Sequence, residues 1–379
     1  MRLLACLGFA VSLAAQSLPP VRFLEISCAG WTIQSDLVYG SNLNPWTNGV
    51  DTLKLDVWEP KDDPATPRRP VLIYVHGGQW YYGDKTDGPV KLVLQNLCTY
   101  GWVGIAINYR LATSANHGGL APTVVAEDAK AAVRWVRKNA AALRIDPERI
   151  AIGGDSVGAN AAILVGYTTW AGNSGNPGFA SNTQAVLDLW GRGLTPINDP
   201  KCGICIVHGD QDQANSYTGE ALRMVAEAQT HGVFHQLVTL PGAAHAPWER
   251  WSEFWPRTTQ TLYEALRCQE LAGLTLVPGY ASPGWLVWNV AAWHDDTFAL
   301  FLSPMQANLQ IPGLGLLQLD PRAIVWLWTQ SFPSTPLVSA KFSGLPVPAG
   351  FQGALHLQGL YVRGAQALRL SNCATARFP

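Results

Sequence analysis

The sequence predicts an α/β fold, a mostly parallel eight-stranded sheet with helices on both faces, followed by a small all-β unit. Three observations carry that expectation. Short unbroken apolar runs, Val71–Val75 and Val103–Ile107, have the composition of strands buried on both faces. They alternate with segments of helical period, as in Val125, Ala129, Ala132, Val133 and Val136. Beyond Leu271 the helical period stops, and short strand-like runs broken by Gly and Pro replace it.

Taken in order, Met1-Arg2 supply a positive charge, Leu3 to Ala15 are apolar, and Ser12, Ala14 and Ala15 end the stretch with small residues. Residues 1–16 are therefore expected to be a secretory signal peptide, cut between Ala14 and Ser17, and the mature chain to be exported. The main domain is expected over 17–270 and a C-terminal β-sandwich over 271–379, with the boundary near Gln269 to Ala272. Strands are predicted at Ser35–Tyr39 and Leu53–Trp58, where apolar and polar residues alternate, then at Val71–Val75 and Val103–Ile107. Further strands follow at Ile150–Ile152, Ala185–Leu189, Ile204–His208 and His235–Leu240. Helices are expected at Val90–Leu97, around Val125–Val136, after Ala161, at Gly219–Thr230 and near Thr258–Arg267. The second unit shows strand-like runs at Trp285–Val290, Thr297–Leu302, Leu314–Leu319, Ala323–Trp328, Leu355–Val362 and Ala367–Ser371.

Composition narrows the function. The 379 residues suffice for two domains, and 14% charged against 48% apolar residues describes a folded chain with a low-charge surface. A formal charge of -1 gives no footprint for a polyanion, so nucleic-acid binding is disfavoured. No apolar run in the mature chain approaches the ~20 residues of a transmembrane segment. With Cys6 in the leader, Cys28, Cys98, Cys202, Cys205, Cys268 and Cys373 remain, which permits up to three disulfides of undetermined pairing in an exported chain. Cys202-x-x-Cys205 has no second CxxC and no histidine pair beside it, so its reading is structural; no metal or cofactor is implied.

The stretch that points to chemistry is Gly154-Asp155-Ser156-Val157-Gly158, set between an apolar strand and an apolar helix. Strand, Gly-x-Ser-x-Gly turn and helix together make a nucleophile elbow, whose sharpness leaves no room for side chains two positions either side of the serine. A nucleophilic serine needs a base, an acid to orient the base, and N–H donors for an oxyanion. The acid is expected at Asp212, in the loop after the Ile204 strand, with Asp210 and then Asp188 as alternatives. Of the eight histidines, His76 and His208 abut glycine turns, His117, His231 and His235 lie in a loop, at a helix end and in a strand, and His294 and His356 fall in the second domain. His245, in the loop after the last strand, is left as the base. Oxyanion donors are expected from Val157 and from Gly78 and Gln79, in the loop after Val71–Val75.

The ordered set His76-Gly77-Gly78-Gln79-Trp80-Tyr81-Tyr82-Gly83-Asp84-Lys85, Asn108-Tyr109-Arg110-Leu111, Asp146-Pro147-Glu148-Arg149-Ile150 and the serine turn, followed by Asp212 and His245, resembles the α/β-hydrolase esterases. It is similar to the carboxylesterase/lipase branch that includes hormone-sensitive-lipase-like and bacterial feruloyl-esterase-like proteins, over roughly residues 50–266. The resemblance implies a triad of Ser156, Asp212 and His245 with Gly78, Gln79 and Val157 as oxyanion donors. Departures are Gln79 where relatives carry a third glycine, Val157 where they carry alanine, no N-terminal cap, and a short Gly191 to Gly203 segment where many insert a lid; together these imply an open, shallow site.

Trp80, Tyr81, Trp190 and Trp248 are the candidates for stacking on a sugar or aryl ring, within an aromatic group that also holds Tyr82, Trp251 and Trp255. The expected activity is that of a secreted serine esterase on short-acyl or aryl esters of the feruloyl or acetyl type, free or polymer-linked. Amide hydrolysis on the same triad, and a non-catalytic binding protein on a hydrolase scaffold, are the competing readings. The C-terminal domain is a candidate for polysaccharide or cell-surface contact, with Trp285, Trp288, Trp293, Trp326 and Trp328 as either a binding strip or core.

Overall fold

In the computed structural model, β3 (Arg69–Val75), β4 (Val103–Ile107), β6 (Ala185–Leu189) and β7 (Gly203–Gly209) are buried along their whole length, as their unbroken apolar runs require. The structure describes residues 23–24, 26–63, 68–117 and 119–268, and beyond these the backbone of nine strands. The expected signal peptide and the expected domain boundary lie outside the described residues. With β1 (Gly30–Leu43), β2 (Val50–Lys61), β5 (Ile145–Asp155) and β8 (His235–Leu240), the buried strands form one eight-stranded sheet in the order β1-β2-β4-β3-β5-β6-β7-β8. The first two strands run antiparallel, and every pair from β4 to β8 is parallel.

Two apolar layers flank the sheet. Helices α1 (Gly88–Thr99) and α5 (Trp251–Ala265) pack on one face, through Val93, Leu97, Phe254 and Leu262. On the other face lie α2 (Ala121–Asn139), α3 (Val157–Tyr167) and α4 (Leu222–Thr230). The start of α2 carries a proline and its last turn carries Arg137 and Lys138, which suits the helix dipole. By contrast α3 is apolar on nearly every side and is correspondingly sunk against the sheet. The expected helix at Gly219–Thr230 resolves into a π-helical turn, Tyr217–Ala221, and α4. The last helix starts at Trp251, before the expected Thr258, because it accommodates Pro256 inside its first turns.

The described thiols correct one expectation. Cys98, Cys202 and Cys205 are buried and unbridged, so the three disulfides that the cysteine count permits are not formed. Cys202 joins the core on the α3 face and Cys205 the core on the α5 face, which makes the CxxC spacing structural. Burial pushes both thiols up to about 12.

Beyond the eight-stranded sheet, Leu274–Leu276, Trp285–Ala292 and Val338–Pro346 pair in one antiparallel sheet. A second contains Val325–Ser331, Asp296–Ser303, Gly353–Arg363 and Ala367–Phe378, and a hairpin joins Gln306–Ile311 to Gly315–Leu319. The strands at Leu274, Gln306 and Val338 escape sequence reading because one has three residues and the others mix polar residues or Gly and Pro into the run. The tryptophan side chains expected to form a strip lie outside the described residues.

The chain leaves β3 for β4 on one side and returns to β5 on the other, so the strand order reverses between β3 and β5. In open α/β sheets that crevice, at the carboxyl ends of the strands, is where ligands bind. A buried ion pair braces its rim. Nε of Arg110, after β4, lies 3.0 Å from both carboxylate oxygens of Asp128 on α2, and the Ser174 hydroxyl donates to the same carboxylate at 2.6 Å. Replacing Arg110 with Met strands a buried carboxylate, so stability measured by urea unfolding is expected to fall by about 3–5 kcal/mol.

Candidate active site

The end of β5 delivers Ser156 in a strained conformation, φ 52° and ψ -119°, that ordinary residues avoid. The turn has a reason beyond its own sharpness. A Cβ on Gly154 would lie 2.2 Å from the Val75 carbonyl oxygen, and one on Gly158 only 2.1 Å from the same atom. The elbow is thus pressed against the end of β3, and only glycines permit that approach.

Loops after β7 and β8 bring the other two groups to the serine. His245 Nε2 lies 3.0 Å from Ser156 Oγ, and His245 Nδ1 lies 2.8 Å from Asp212 Oδ2. The other oxygen of Asp212 accepts from the backbone N–H groups of Ala214 and Asn215, at 2.8 and 2.9 Å. Asp212 is buried and His245 half-buried, which suits an orienting carboxylate and a proton carrier in turn. The alternatives for the acid are engaged elsewhere. Asp210 accepts from the Gly242 N–H at 2.7 Å, and Asp188 from the Gly191 N–H at 2.7 Å.

The loop after β3 faces Ser156 across a cavity of about 570 Å³. Gly78, Gln79 and Val157 all line it. Gly78, Gln79 and Trp80 are successive residues with positive φ, at 115°, 50° and 74°. A Cβ on Gly78 would strike the Tyr82 carbonyl oxygen at 1.9 Å, so this turn depends on the glycine. Among the described residues, none of the N–H groups of Gly78, Gln79 and Val157 donates to a protein acceptor. Val157 begins α3, where the helix itself offers no acceptor. Three unused donors beside a strained serine make an environment that favours developing negative charge.

Asp155 ties the two halves together. Its Oδ1 accepts from the Tyr74 hydroxyl at 2.9 Å and from the Gly77 N–H at 3.2 Å, which anchors the loop to the elbow. Desolvation pushes this carboxyl up to about 6. His76 packs under the loop, stacked on Tyr109 with ring centroids 4.3 Å apart, and desolvation lowers its pKa. The Tyr109 hydroxyl donates to the His76 carbonyl at 2.9 Å, and Asn108 bonds to Lys85 N and Asp84. The Asn108-Tyr109-Arg110 stretch is thus the bracket of the loop, a role that its spacing in the sequence does not reveal.

The aromatic expectations need correction. Trp80, Tyr81, Trp190 and Trp248 do not line the cavity; of the aromatic group only Tyr82 does. Trp190 is 0% exposed, wedged edge-on between Trp248 (4.8 Å) and Phe254 (5.8 Å). Trp248 continues through Trp251 to Trp255 as a packed ladder. Trp80 is buried against the core and Tyr81 packs edge-on against Tyr82. Large rings near a cleft gain more from burying their area than from waiting for a ligand. Asn160 and Asn215, which do line the cavity, carry no sequence signal that separates them from other polar residues.

A protein-family model described as BD-FAE matches residues 55–192. That span contains Ser156 and the three candidate donors but neither Asp212 nor His245, which rest on the geometry alone. Esterase LipC of Mycobacterium tuberculosis is 34% identical over 146 residues, 36% of this chain and 33% of that protein. Carboxylesterase NlhH of the same organism is 33% identical over 138 residues, 31% of this chain and 41% of that protein. The chain therefore spans well under half the length of these curated relatives. Among solved structures, a truncated carbohydrate esterase from gut microbiota aligns with 66% of this chain and 100% of its own, at 21% identity and a TM-score of 0.51. Native Est2, an esterase of Thermogutta terrifontis, covers 64% of this chain and 92% of its own, at 22% identity and a TM-score of 0.50. These likenesses show the fold, an α/β-hydrolase sheet.

Asp188 is fully buried at the end of β6, and its Oδ2 has no hydrogen-bond partner among the described residues. Desolvation pushes it up to about 7 from an ordinary 3.8. The native state therefore keeps a proton that the unfolded chain has lost, and the associated stability is full below the unfolded pKa and lost as pH rises through about 7. Asp188→Asn has no such loss. Between pH 3.5 and 8 its unfolding free energy relative to wild type is expected to move in the variant's favour by about 2–4 kcal/mol, read by denaturant titration.

Proposed function

We propose that this chain is a secreted serine carboxylesterase acting on short-acyl or aryl esters through an acyl-enzyme. The observation that carries the reading is the run of contacts from Ser156 Oγ to His245 Nε2 (3.0 Å) and from His245 Nδ1 to Asp212 Oδ2 (2.8 Å). In the first half-reaction Ser156 Oγ attacks the ester carbonyl carbon and passes its proton to His245 Nε2. The resulting imidazolium is held by Asp212, and the oxyanion by N–H groups from Gly78, Gln79 and Val157, each donor being worth about 3–4 kcal/mol in the barrier. Collapse breaks the bond to the alcohol oxygen, which takes the proton from His245. Water, deprotonated by His245, then attacks the acyl-enzyme, and the acid leaves with Ser156 reprotonated.

The cavity lining mixes polar side chains, Gln79, Asp87, Asn160 and Asn215, with the apolar Tyr82, Pro89, Val90 and Val157. Val157 sets a branched side chain next to Ser156 in that lining, which supports a short acyl group on the attacked carbonyl. The charged, apolar and small-residue order of the first 16 residues supports export. Contact with polysaccharide or a cell surface through the C-terminal strands belongs to the same reading.

Hydrolysis of 4-nitrophenyl acetate by the mature chain tests it, together with labelling by a fluorophosphonate. Turnover and labelling are expected to vanish in Ser156→Ala, and Asp212→Asn is expected to lower kcat by about 10⁴-fold. Rates are expected to drop from acetate to decanoate. Undiminished turnover or labelling in Ser156→Ala would sink the proposal.

A further inference from the structure

His208 closes β7 and is 0% exposed, yet the reaction just described does not use it. Its Nε2 lies 2.8 Å from the Asn215 carbonyl oxygen and 3.4 Å from Asp212 Oδ2. A carbonyl oxygen only accepts, so Nε2 carries the proton. Nδ1 is buried and has no hydrogen-bond partner among the described residues. A second proton there would make a buried cation with no acceptor in front of it.

The groups facing the ring come from three places. Asp212 lies in the loop that follows His208, His245 comes from the loop after β8, and Glu220 and the Tyr217 ring (6.1 Å) from the π-helical turn. Desolvation, the largest influence, lowers the pKa; the Asn215 carbonyl, Asp212 and Glu220 oppose it, and His245 adds to it. The net direction is downward, which keeps the ring neutral.

We propose that His208 is a positioning residue of the relay: its Nε2–H, bonded to the Asn215 carbonyl, fixes the loop that carries Asp212, and its ring stands 3.4 Å from the Asp212 oxygen that His245 uses. The inference rests on the esterase reading above. Oδ2 of Asp212 faces two imidazoles, His245 at 2.8 Å and His208 at 3.4 Å. An oxygen that faces the N–H side of a second imidazole stabilises the His245 imidazolium less. The His208 N–H ties the end of β7 to Asn215 in the Asp212 loop, and so fixes the direction from which His245 is held.

The test is the pH profile of kcat/KM for 4-nitrophenyl acetate in the full chain, His208→Phe and His208→Gln. Phe fills the space without a donor, whereas Gln places an N–H close to where Nε2 was. The acid limb is expected to move up by about half a pH unit in His208→Phe, with about a ten-fold lower plateau, and to return toward wild type in His208→Gln. Limbs that stay in place in both variants, or that shift equally in both, overturn the proposal. ¹⁵N NMR of the wild-type imidazoles reads the same claim without a variant that must fold. His208 is expected as neutral Nε2–H from pH 5 to 8, and an Nδ1–H tautomer or an ordinary histidine titration overturns it. Loss of the esterase reading would be seen separately, as turnover indifferent to Ser156→Ala.

Discussion

The Val75 carbonyl oxygen, at the end of β3, lies where a Cβ on either Gly154 or Gly158 would have to be, 2.2 and 2.1 Å away. That clash is the constraint on which the site depends. Because the elbow touches β3, the strained Ser156 is held beside the loop that follows β3, and the two share one cavity. The parallel pairing of β3 with β5, from Val71 with Ile150 to Val75 with Gly154, sets the contact at its height in the sheet. Strain at the serine is sustained by the rest of the sheet, whose central strands are fully buried.

Around this contact, polar groups are organised in nested layers. Asp155 reaches across to Tyr74 and Gly77, Tyr109 stacks on His76 and bonds to its carbonyl, and Asn108 holds Asp84 and Lys85. Arg110, next in the chain, is locked to Asp128 on α2. A displacement of the Gly78–Gln79 turn would therefore have to break several hydrogen bonds together. Such networks rigidify when every member is satisfied, which is what a preorganised anion site requires.

The acid side of the site follows a different logic. Asp212 accepts two backbone N–H groups on one oxygen and faces imidazoles on the other, so a buried carboxylate is compensated from all sides. Asp188, one strand away, lacks such compensation and is pushed toward neutrality. The two buried aspartates, one at the end of β6 and one in the loop after β7, thus differ in how fully their oxygens are partnered.

The central strands of the eight-stranded sheet were legible because burial on both faces writes itself as apolar runs, and Val103–Ile107 and Ala185–Leu189 are found at the expected bounds. Ser156, Asp212 and His245 were legible because chain order and strand-end loops restrict where each can stand. The sequence by itself thus determined the sheet, the elbow and the candidate constellation, since those depend on local patterns of burial and on glycine. Only the tertiary structure decided the rest. It turned Trp80, Tyr81, Trp190 and Trp248 away from the cavity, split Cys202 from Cys205 across the sheet, and set Asp155, Tyr109 and His208 around the site. These outcomes depend on which residues, remote in sequence, meet in space, and a ring or a carboxylate takes its role from those neighbours and the water they exclude.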